Sequence, residues 1–104
     1  MNYDVIIVGA GPGGIFAAYE LVQHAPSMKV AVFEAGHALH KRHCPIDGEK
    51  VKFCIGCKSC SIMSGFGGAG AFSDGKYNIT NDFGGTLYEY IGKKQAMELM
   101  HYVD

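Results

Sequence analysis

DVIIVGAGPGG, residues 4–14, is the stretch that decides the fold. Its first half belongs to an apolar run over residues 3–8, which predicts a strand buried on both faces, as in a parallel sheet. Helix-forming residues with apolar positions at helical spacing follow the glycines, and Pro26 is the stop signal. A second apolar run, KVAVFEA at residues 29–35, predicts another buried strand. Residues 1–35 are therefore predicted to form a βαβ unit.

The glycines between the first strand and the helix fit the pattern G-x-G-x-x-G. Gly9 allows the tight turn, Gly11 leaves room for a pyrophosphate, and Gly14 lets helix and strand pack closely. Glu34 ends the second strand 20 residues after Gly14, where it can accept both ribose hydroxyls and would repel the 2′-phosphate of NADP. A purely structural turn is the alternative. The residues predicted to bind a dinucleotide here are Gly9, Gly11, Pro12, Gly13, Gly14, Glu34 and Ala35.

The composition of the chain excludes several classes of function. The chain has 104 residues, a net charge of -1 and a hydrophobic fraction of 48%, which fits one small domain. It has no long basic stripe, so nucleic acid is not an expected partner. The apolar runs are too short to span a bilayer and the N-terminus lacks signal-peptide features, so we expect a cytoplasmic protein without membrane association. In that reducing compartment, four cysteines indicate metal or redox chemistry more than structural disulfides.

After the βαβ unit, the chain is predicted to continue as an irregular segment rich in cysteine and glycine. Residues 36–64 show no periodicity and are predicted to be a long loop that contains the cysteines. Residues 65–85 are rich in glycine, which indicates backbone close to a ligand or bent through positive φ. Within them, AFSDGKYNIT is compatible with a hairpin that turns at Asp74 and Gly75.

Residues 86–104 are predicted to be helical. Thr86 and Glu89 have the spacing of a capping box, and Gly92 is expected to end or break the first helix. A second helix is predicted from about Lys93 to the end of the chain. It carries one apolar stripe, formed by Ala96, Leu99, Met100 and Val103.

The cysteines Cys44, Cys54, Cys57 and Cys60 leave three readings open. Their spacing is not that of a zinc ribbon, but C-x2-C-x2-C is similar to part of an iron–sulfur run, so zinc or a cluster is one candidate. A redox pair within the run is the second, with Lys58 lowering the pKa of a thiol. Loop thiols without a ligand are the third.

Longer motifs carry a family resemblance. DVIIVGAGPGGIFAAYEL followed by VAVFEAG resembles the N-terminal signature of flavoproteins with two dinucleotide-binding domains. RHCP, CxxCxxC, SGFGGAGAFSDGK and FGGTLYEYIG together resemble the uncharacterised FAD-dependent dehydrogenases, relatives of glutathione-reductase-like and aminoacetone-oxidase-like flavoproteins. The resemblance covers nearly the entire chain. It implies an α/β Rossmann-like domain in which FAD lies along the first βαβ unit.

The resemblance also implies further cofactor-binding residues. Arg42 matches a base that often lies near the FAD phosphates or adenine, with a solvated charge as the alternative. The glycine-rich segment matches one that runs beside the isoalloxazine, where Lys76 could serve as a cation; a plain surface hairpin is the alternative. The residues carried over from that segment are Gly67, Gly68, Gly70, Ser73 and Asp74.

Because members of this family are several times longer, the resemblance implies an incomplete fragment, a partial FAD-binding domain over residues 1–104. We expect the FAD-binding N-terminal portion of a flavin-dependent oxidoreductase, inactive alone, whose partners are its missing C-terminal part and a small-molecule substrate. NAD(P)H is a candidate second cofactor of the full-length enzyme. Open sheet edges predict self-association of the fragment. The alternatives are a cysteine-ligated zinc or iron–sulfur module and an NAD-binding domain.

Overall fold

The computed structural model describes residues 1–82 and 84–104. The chain forms two compact units, Met1–Ser73 and Asp74–Asp104. The first unit contains strand β1 (Val5–Val8), helix α1 (Pro12–His24) and strand β2 (Val30–Phe33), followed by 3-10 turns at Leu39–Lys41 and Ala69–Phe72. The second contains helices α2 (Leu87–Ile91) and α3 (Lys93–Val103). Among the described residues, no helix is both long and apolar enough to cross a membrane.

The first unit is the predicted βαβ unit. Strands β1 and β2 pair in parallel, with Val5 opposite Val30 and Val8 opposite Phe33. One further hydrogen bond continues the pairing beyond β1, from the N–H of Gly9 to the carbonyl of Phe33 at 2.7 Å. Helix α1 is the crossover connection and packs on both strands. The predicted α/β class, with a βαβ unit at the N-terminus and helices at the C-terminus, is confirmed.

The strands are not buried on both faces, and that prediction is wrong. Burial alternates along β1, where Ile6 is 59% exposed and Val8 is 87% exposed. Ile7 lies on the face that α1 covers, because its Cγ2 atom approaches Gly14 of the helix. Ile6 and Val8 therefore point to the other face, since neighbouring side chains of a strand alternate. One helix on a two-stranded sheet covers only one face.

The cysteine and glycine segments are irregular, as predicted. Between β2 and residue 68, the 3-10 turn at Leu39–Lys41 is the one regular element that the structure describes. The hairpin suggested for residues 71–80 does not form, and that prediction is wrong. Its start is taken up by the 3-10 turn at Ala69–Phe72, and the carboxylate of Asp74 accepts a hydrogen bond from the N–H of Lys76 at 3.2 Å. The turn therefore closes locally, without a strand ladder.

The second unit contains the two predicted helices. Thr86 is the N-cap residue of α2, but its side chain makes no capping hydrogen bond, so the helix start was predicted correctly and the capping box does not form. Gly92 has φ +83° and separates α2 from α3. On the apolar stripe of α3, Ala96 is fully buried while Leu99 is 46% exposed. The motif FGGTLYEYIG includes Phe83, which lies outside the described residues.

Candidate functional site

The glycine turn joins β1 to α1 through two positions that tolerate no other residue easily. Gly9 has φ +99°, a conformation that disfavours residues with a Cβ atom. A Cβ atom on Gly14 would overlap the carbonyl oxygen of Gly9 and lie 3.2 Å from Cγ2 of Ile7. Close packing of the first turn of α1 on the end of β1 therefore requires glycine at position 14. The sequence predicted the same steric reason for Gly14.

Packing does not explain Gly11 and Gly13, the two glycines that lie between Gly9 and Gly14. A Cβ atom on Gly11 would have the Cα atom of Gly68, at 4.0 Å, as its neighbour, and one on Gly13 would meet nothing within 4 Å. No described residue accepts a hydrogen bond from the N–H of Gly11, Gly13 or Gly14. Free N–H groups at the positive end of a helix dipole favour an anion there. The turn thus combines open space with unpaired donors.

Glu34 connects the end of β2 to this turn. Its Oε2 atom accepts a hydrogen bond from the N–H of Ala10, and its Oε1 atom accepts one from the N–H of Gly36, both at 2.8 Å. These two N–H groups, first Ala10 and then Gly36, lower the pKa of the carboxyl group, whereas partial desolvation opposes them and the charge of Arg42 adds a smaller effect. Glu34 is therefore an ionised acceptor at neutral pH. Its contact with a ribose stays a prediction.

Glu34 and Ala35 line an open cleft of about 860 Å³. A volume of this order is typical of sites for small molecules and cofactors. The opposite wall comes from the cysteine loop and the start of the glycine-rich segment, so residues distant in sequence enclose one space. The cleft is lined by Glu34, Ala35, His37, Cys57, Lys58, Ser59, Ser61, Met63, Ser64, Gly65 and Gly68.

Arg42 holds in place the wall of the cleft that residues 61–68 contribute. Its side chain is 2% exposed, and the guanidinium donates hydrogen bonds to four backbone carbonyls at 2.7 to 2.9 Å. The guanidinium carbon also lies 4.9 Å from the ring centroid of Phe72, a cation–π distance. The four acceptors are the carbonyls of Ser61, Ile62, Phe66 and Gly68.

This burial shows that the alternative reading of Arg42 as a solvated charge is wrong. Its suggested place near the phosphates or adenine stays a prediction. The sequence contains no signal for a structural role, because a basic residue in an irregular loop is typical of solvent-exposed positions. Only the fold reveals that residues 61–68 wrap around this side chain.

The second glycine cluster packs directly against the first. The N–H of Gly67 donates to the carbonyl of Ala10 at 2.8 Å, and a Cβ atom on Gly68 would lie 3.2 Å from the Cα atom of Gly11. Gly65 has φ +121°, and a Cβ atom there would lie 2.7 Å from Cδ of Arg42. Glycine therefore allows this segment to reach the turn and the arginine at once.

The remaining residues of the segment are spread over both units. Gly70 lies in the 3-10 turn, Ser73 is its C-cap residue, and Asp74 belongs to the second unit, where it pairs with Lys76 at 3.6 Å. Whether these residues lie beside an isoalloxazine stays a prediction.

The four cysteines are free and exposed, and they line one pocket of about 210 Å³. In the part of the chain that the structure describes, no three or more His, Cys, Asp or Glu side chains form a group that could hold a metal ion. The nearby backbone N–H groups of Met63 and Ile62 lower the pKa of the Cys60 thiol against the opposing effect of desolvation, and the charge of Arg42 adds a smaller effect. The assignment of a metal to these cysteines stays a prediction.

Comparison with known proteins finds similarity in the region of the glycine turn. A model described as the Thi4 family matches residues 1–40. Thiamine thiazole synthases from Yarrowia lipolytica and Phaeosphaeria nodorum are each 51% identical over 35 residues, which is 34% of this chain and 11% of each of those proteins. A dinucleotide-binding N-terminal region of the flavin or NAD type is consistent with these matches.

One match extends further along the chain. An uncharacterized protein from Clostridium beijerinckii is 39% identical over 71 residues, which is 68% of this chain and 13% of that protein. The chain thus spans between 11% and 13% of the length of these curated relatives. No solved structure matches it significantly.

Proposed function

We propose that residues 1–73 bind the ADP half of FAD and form the N-terminal part of the cofactor site of a flavin-dependent oxidoreductase. One observation carries the proposal. The Glu34 carboxylate at the end of β2 is hydrogen-bonded to Ala10 within the G-x-G-x-x-G turn, whose neighbouring N–H groups have no acceptor among the described residues. An acid and an anion-binding turn held together in this way match the two polar parts of a dinucleotide, the ribose and the pyrophosphate.

The proposed binding mode uses the chain's own groups. The pyrophosphate would meet the N–H groups at the start of α1, in the space left open by Gly11 and Gly13. Glu34 can accept ribose hydroxyls because each of its oxygens has a second lone pair. Its negative charge would repel a 2′-phosphate, so the site favours FAD or NAD over NADP. The cleft beside Glu34 and Ala35 would hold the adenine.

The comparisons support this proposal at the N-terminus, because the Thi4 family match at residues 1–40 covers both the turn and Glu34. Bound FAD would supply a hydride acceptor, and this chain would orient its ADP half. The dehydrogenase reaction, the small-molecule substrate, NAD(P)H as a second cofactor, and a cytoplasmic location are proposed for the whole protein. Its C-terminal part would complete the site.

The test is a binding titration with ADP, the part of FAD that residues 1–73 are proposed to hold. We expect ADP and FAD to bind the wild-type chain, and Gly11→Ala to weaken both by at least about tenfold, since a methyl group would occupy the pyrophosphate position. Thermal unfolding should stay unchanged in this variant, because its Cβ atom meets only ordinary contacts. Ser27→Ala, at an exposed position beyond α1, is the matched control.

Three outcomes would contradict the proposal. ADP could fail to bind at millimolar concentration, or Gly11→Ala could bind ADP as tightly as wild type, which would make the turn purely structural. Tighter binding of NAD than of FAD, in the chain and in the full-length protein, would replace the flavin site with an NAD-binding domain.

A further inference from the structure

Arg42 carries a buried positive charge that the described part of the chain does not neutralise. Its side chain is 2% exposed, and its hydrogen bonds go to backbone carbonyls rather than to an acid. None of the ion pairs that the structure describes includes it. A guanidinium stays protonated in proteins, and a buried charge without a partner is costly. This arrangement indicates that an anion from outside the described residues balances the charge.

Two peptide units connect this charge to the glycine turn. The Nη1 atom of Arg42 donates a hydrogen bond to the carbonyl of Phe66 at 2.7 Å. The N–H of Gly67 belongs to the same peptide unit as that carbonyl and donates to the carbonyl of Ala10 at 2.8 Å. The carbonyl of Ala10 in turn shares its peptide unit with the N–H of Gly11. We call this series the peptide relay; it begins at Arg42 and ends at the N–H of Gly11.

The orientation of these peptide units makes the relay polar. In a trans peptide the C=O and N–H groups point in opposite directions, and no cis peptide bond occurs among the described residues. The two peptide dipoles therefore line up, with their positive ends towards Gly11 and away from the guanidinium. Hydrogen bonds in such a chain strengthen one another by roughly 10–30% per bond, and a cation at the carbonyl end adds to this polarisation. The N–H of Gly11, which has no acceptor among the described residues, thereby becomes a stronger donor.

We propose that Arg42 is a positioning residue for the pyrophosphate of the dinucleotide and acts through the peptide relay without contacting the ligand. It holds Gly67 against the turn, fixes the peptide unit that carries the N–H of Gly11, and supplies positive charge behind this donor. The pyrophosphate is the anion that balances the buried guanidinium, so this inference rests on the proposed function. Each nitrogen of the guanidinium already donates to a backbone carbonyl, which is why the role is assigned to the relay and not to direct contact with a phosphate.

A purely structural role for Arg42 would affect ligands differently. Residues 61–68 form one wall of the cleft that is proposed to hold the adenine, so loosening this wall weakens every ligand that contains adenosine. The peptide relay acts on the phosphates alone. Adenosine has the same base and ribose as ADP but no phosphate, and the ratio of the two affinities therefore separates the two roles.

The test measures this ratio by titration calorimetry of the 104-residue chain with ADP and with adenosine. We expect Arg42→Met to lower the ratio of the ADP affinity to the adenosine affinity by at least about tenfold, because charges in a partly buried site are weakly screened. Lys41→Met is the matched control, since it removes the neighbouring charge from an exposed position and should leave the ratio unchanged. Circular dichroism checks that both variants fold.

A second variant tests the peptide relay while Arg42 stays in place. Chemical ligation at Cys60 can join a synthetic segment 60–104 in which an ester oxygen replaces the N–H of Gly67. This change removes the donor to the carbonyl of Ala10 and alters no side chain. We expect the affinity ratio to fall by at least about twofold, the lower end of what one net hydrogen bond contributes. An ester at Lys94, whose N–H lies in the first turn of α3, is the matched control.

The outcomes separate this inference from the proposed function. If ADP binds and the ratio is unchanged in Arg42→Met and in the Gly67 ester, the relay is refuted and the dinucleotide site remains. A lower ratio in Arg42→Met with an unchanged ratio in the ester would refute the relay as the route by which the charge acts. If Arg42→Met does not fold, the ester decides alone. Absence of ADP binding by the wild-type chain would overturn the proposed function and this inference together.

Discussion

Replacing Arg42 with methionine should destabilise the first unit more than any surface substitution. The methionine side chain fills much of the same space but has no donor for the four carbonyls that the guanidinium binds. Those carbonyls belong to residues 61–68, which form one wall of the cleft and contact the glycine turn. Loss of Arg42 therefore releases the irregular part of the unit from the βαβ part.

The magnitude follows from the hydrogen bonds. A hydrogen bond to a charged group contributes about 1.5–3 kcal/mol, so four set an upper limit of about 6–12 kcal/mol. Ile62 and Phe66 are exposed, so water can reach their carbonyls in the variant and replace part of these hydrogen bonds. We therefore expect a loss of about 3–5 kcal/mol, below the upper limit that the four hydrogen bonds set. Domains of this size have a free energy of unfolding of about 5–15 kcal/mol, so the substitution would remove much of the stability of the first unit.

The assay is urea unfolding followed by circular dichroism, in which a loss of about 3 kcal/mol should lower the midpoint by at least about 1 M. Lys41→Met removes the neighbouring positive charge from an exposed position and should change stability by less than about 0.5 kcal/mol. Arg42→Lys should lie between the two, because an ammonium cannot reach four carbonyls at once. Equal midpoints for Arg42→Met and Lys41→Met would refute the structural role of Arg42.

Three further predictions follow from single residues. Gly14→Ala should lower the free energy of unfolding by about 1–3 kcal/mol in urea titrations, because its Cβ atom would overlap the carbonyl of Gly9. The pKa of Glu34 is lowered from its ordinary value of 4.5, so the ionised carboxylate stabilises the fold fully above pH 4.5. This stabilisation is lost as the pH falls through the pKa of the folded state. Glu34→Gln should therefore lose less stability than wild type over that acid range. Gly92→Ala should cost about 1–3 kcal/mol and reduce the helical signal, because φ there is +83°.

Each of these predictions has a result that contradicts it. Gly13→Ala is the control for Gly14→Ala, since its Cβ atom meets nothing within 4 Å, and equal effects of the two would exclude the steric reason. Parallel acid-unfolding curves for wild type and Glu34→Gln would show that the carboxylate contributes nothing through its ionisation. An unchanged helical signal in Gly92→Ala would mean that the junction between α2 and α3 tolerates a Cβ atom.

Much of the fold could be predicted because its signals are local. The apolar runs, the stop at Pro26 and the helix break at Gly92 act through neighbouring residues, and the structure follows them within a few positions. The prediction of strands buried on both faces was wrong because burial depends on which elements cover a sheet. The hairpin at Asp74 was wrong because its start forms a 3-10 turn, and no local pattern indicated that outcome.

Some features of the candidate site could likewise be predicted from the sequence, whereas others depend on contacts between distant residues. The sequence by itself determined the βαβ unit, the glycine turn and the acid at the end of β2, since strand periodicity, the φ freedom of glycine and the capacity of a carboxylate to accept hydrogen bonds act over short stretches of chain. Only the tertiary structure decided that Arg42 is buried, that the second glycine cluster packs on the first, and that Cys57 lines both the pocket of the four cysteines and the cleft beside Glu34. The physical reason is that irregular segments satisfy their backbone carbonyls through distant partners, and no periodic pattern in the chain records which partner that is.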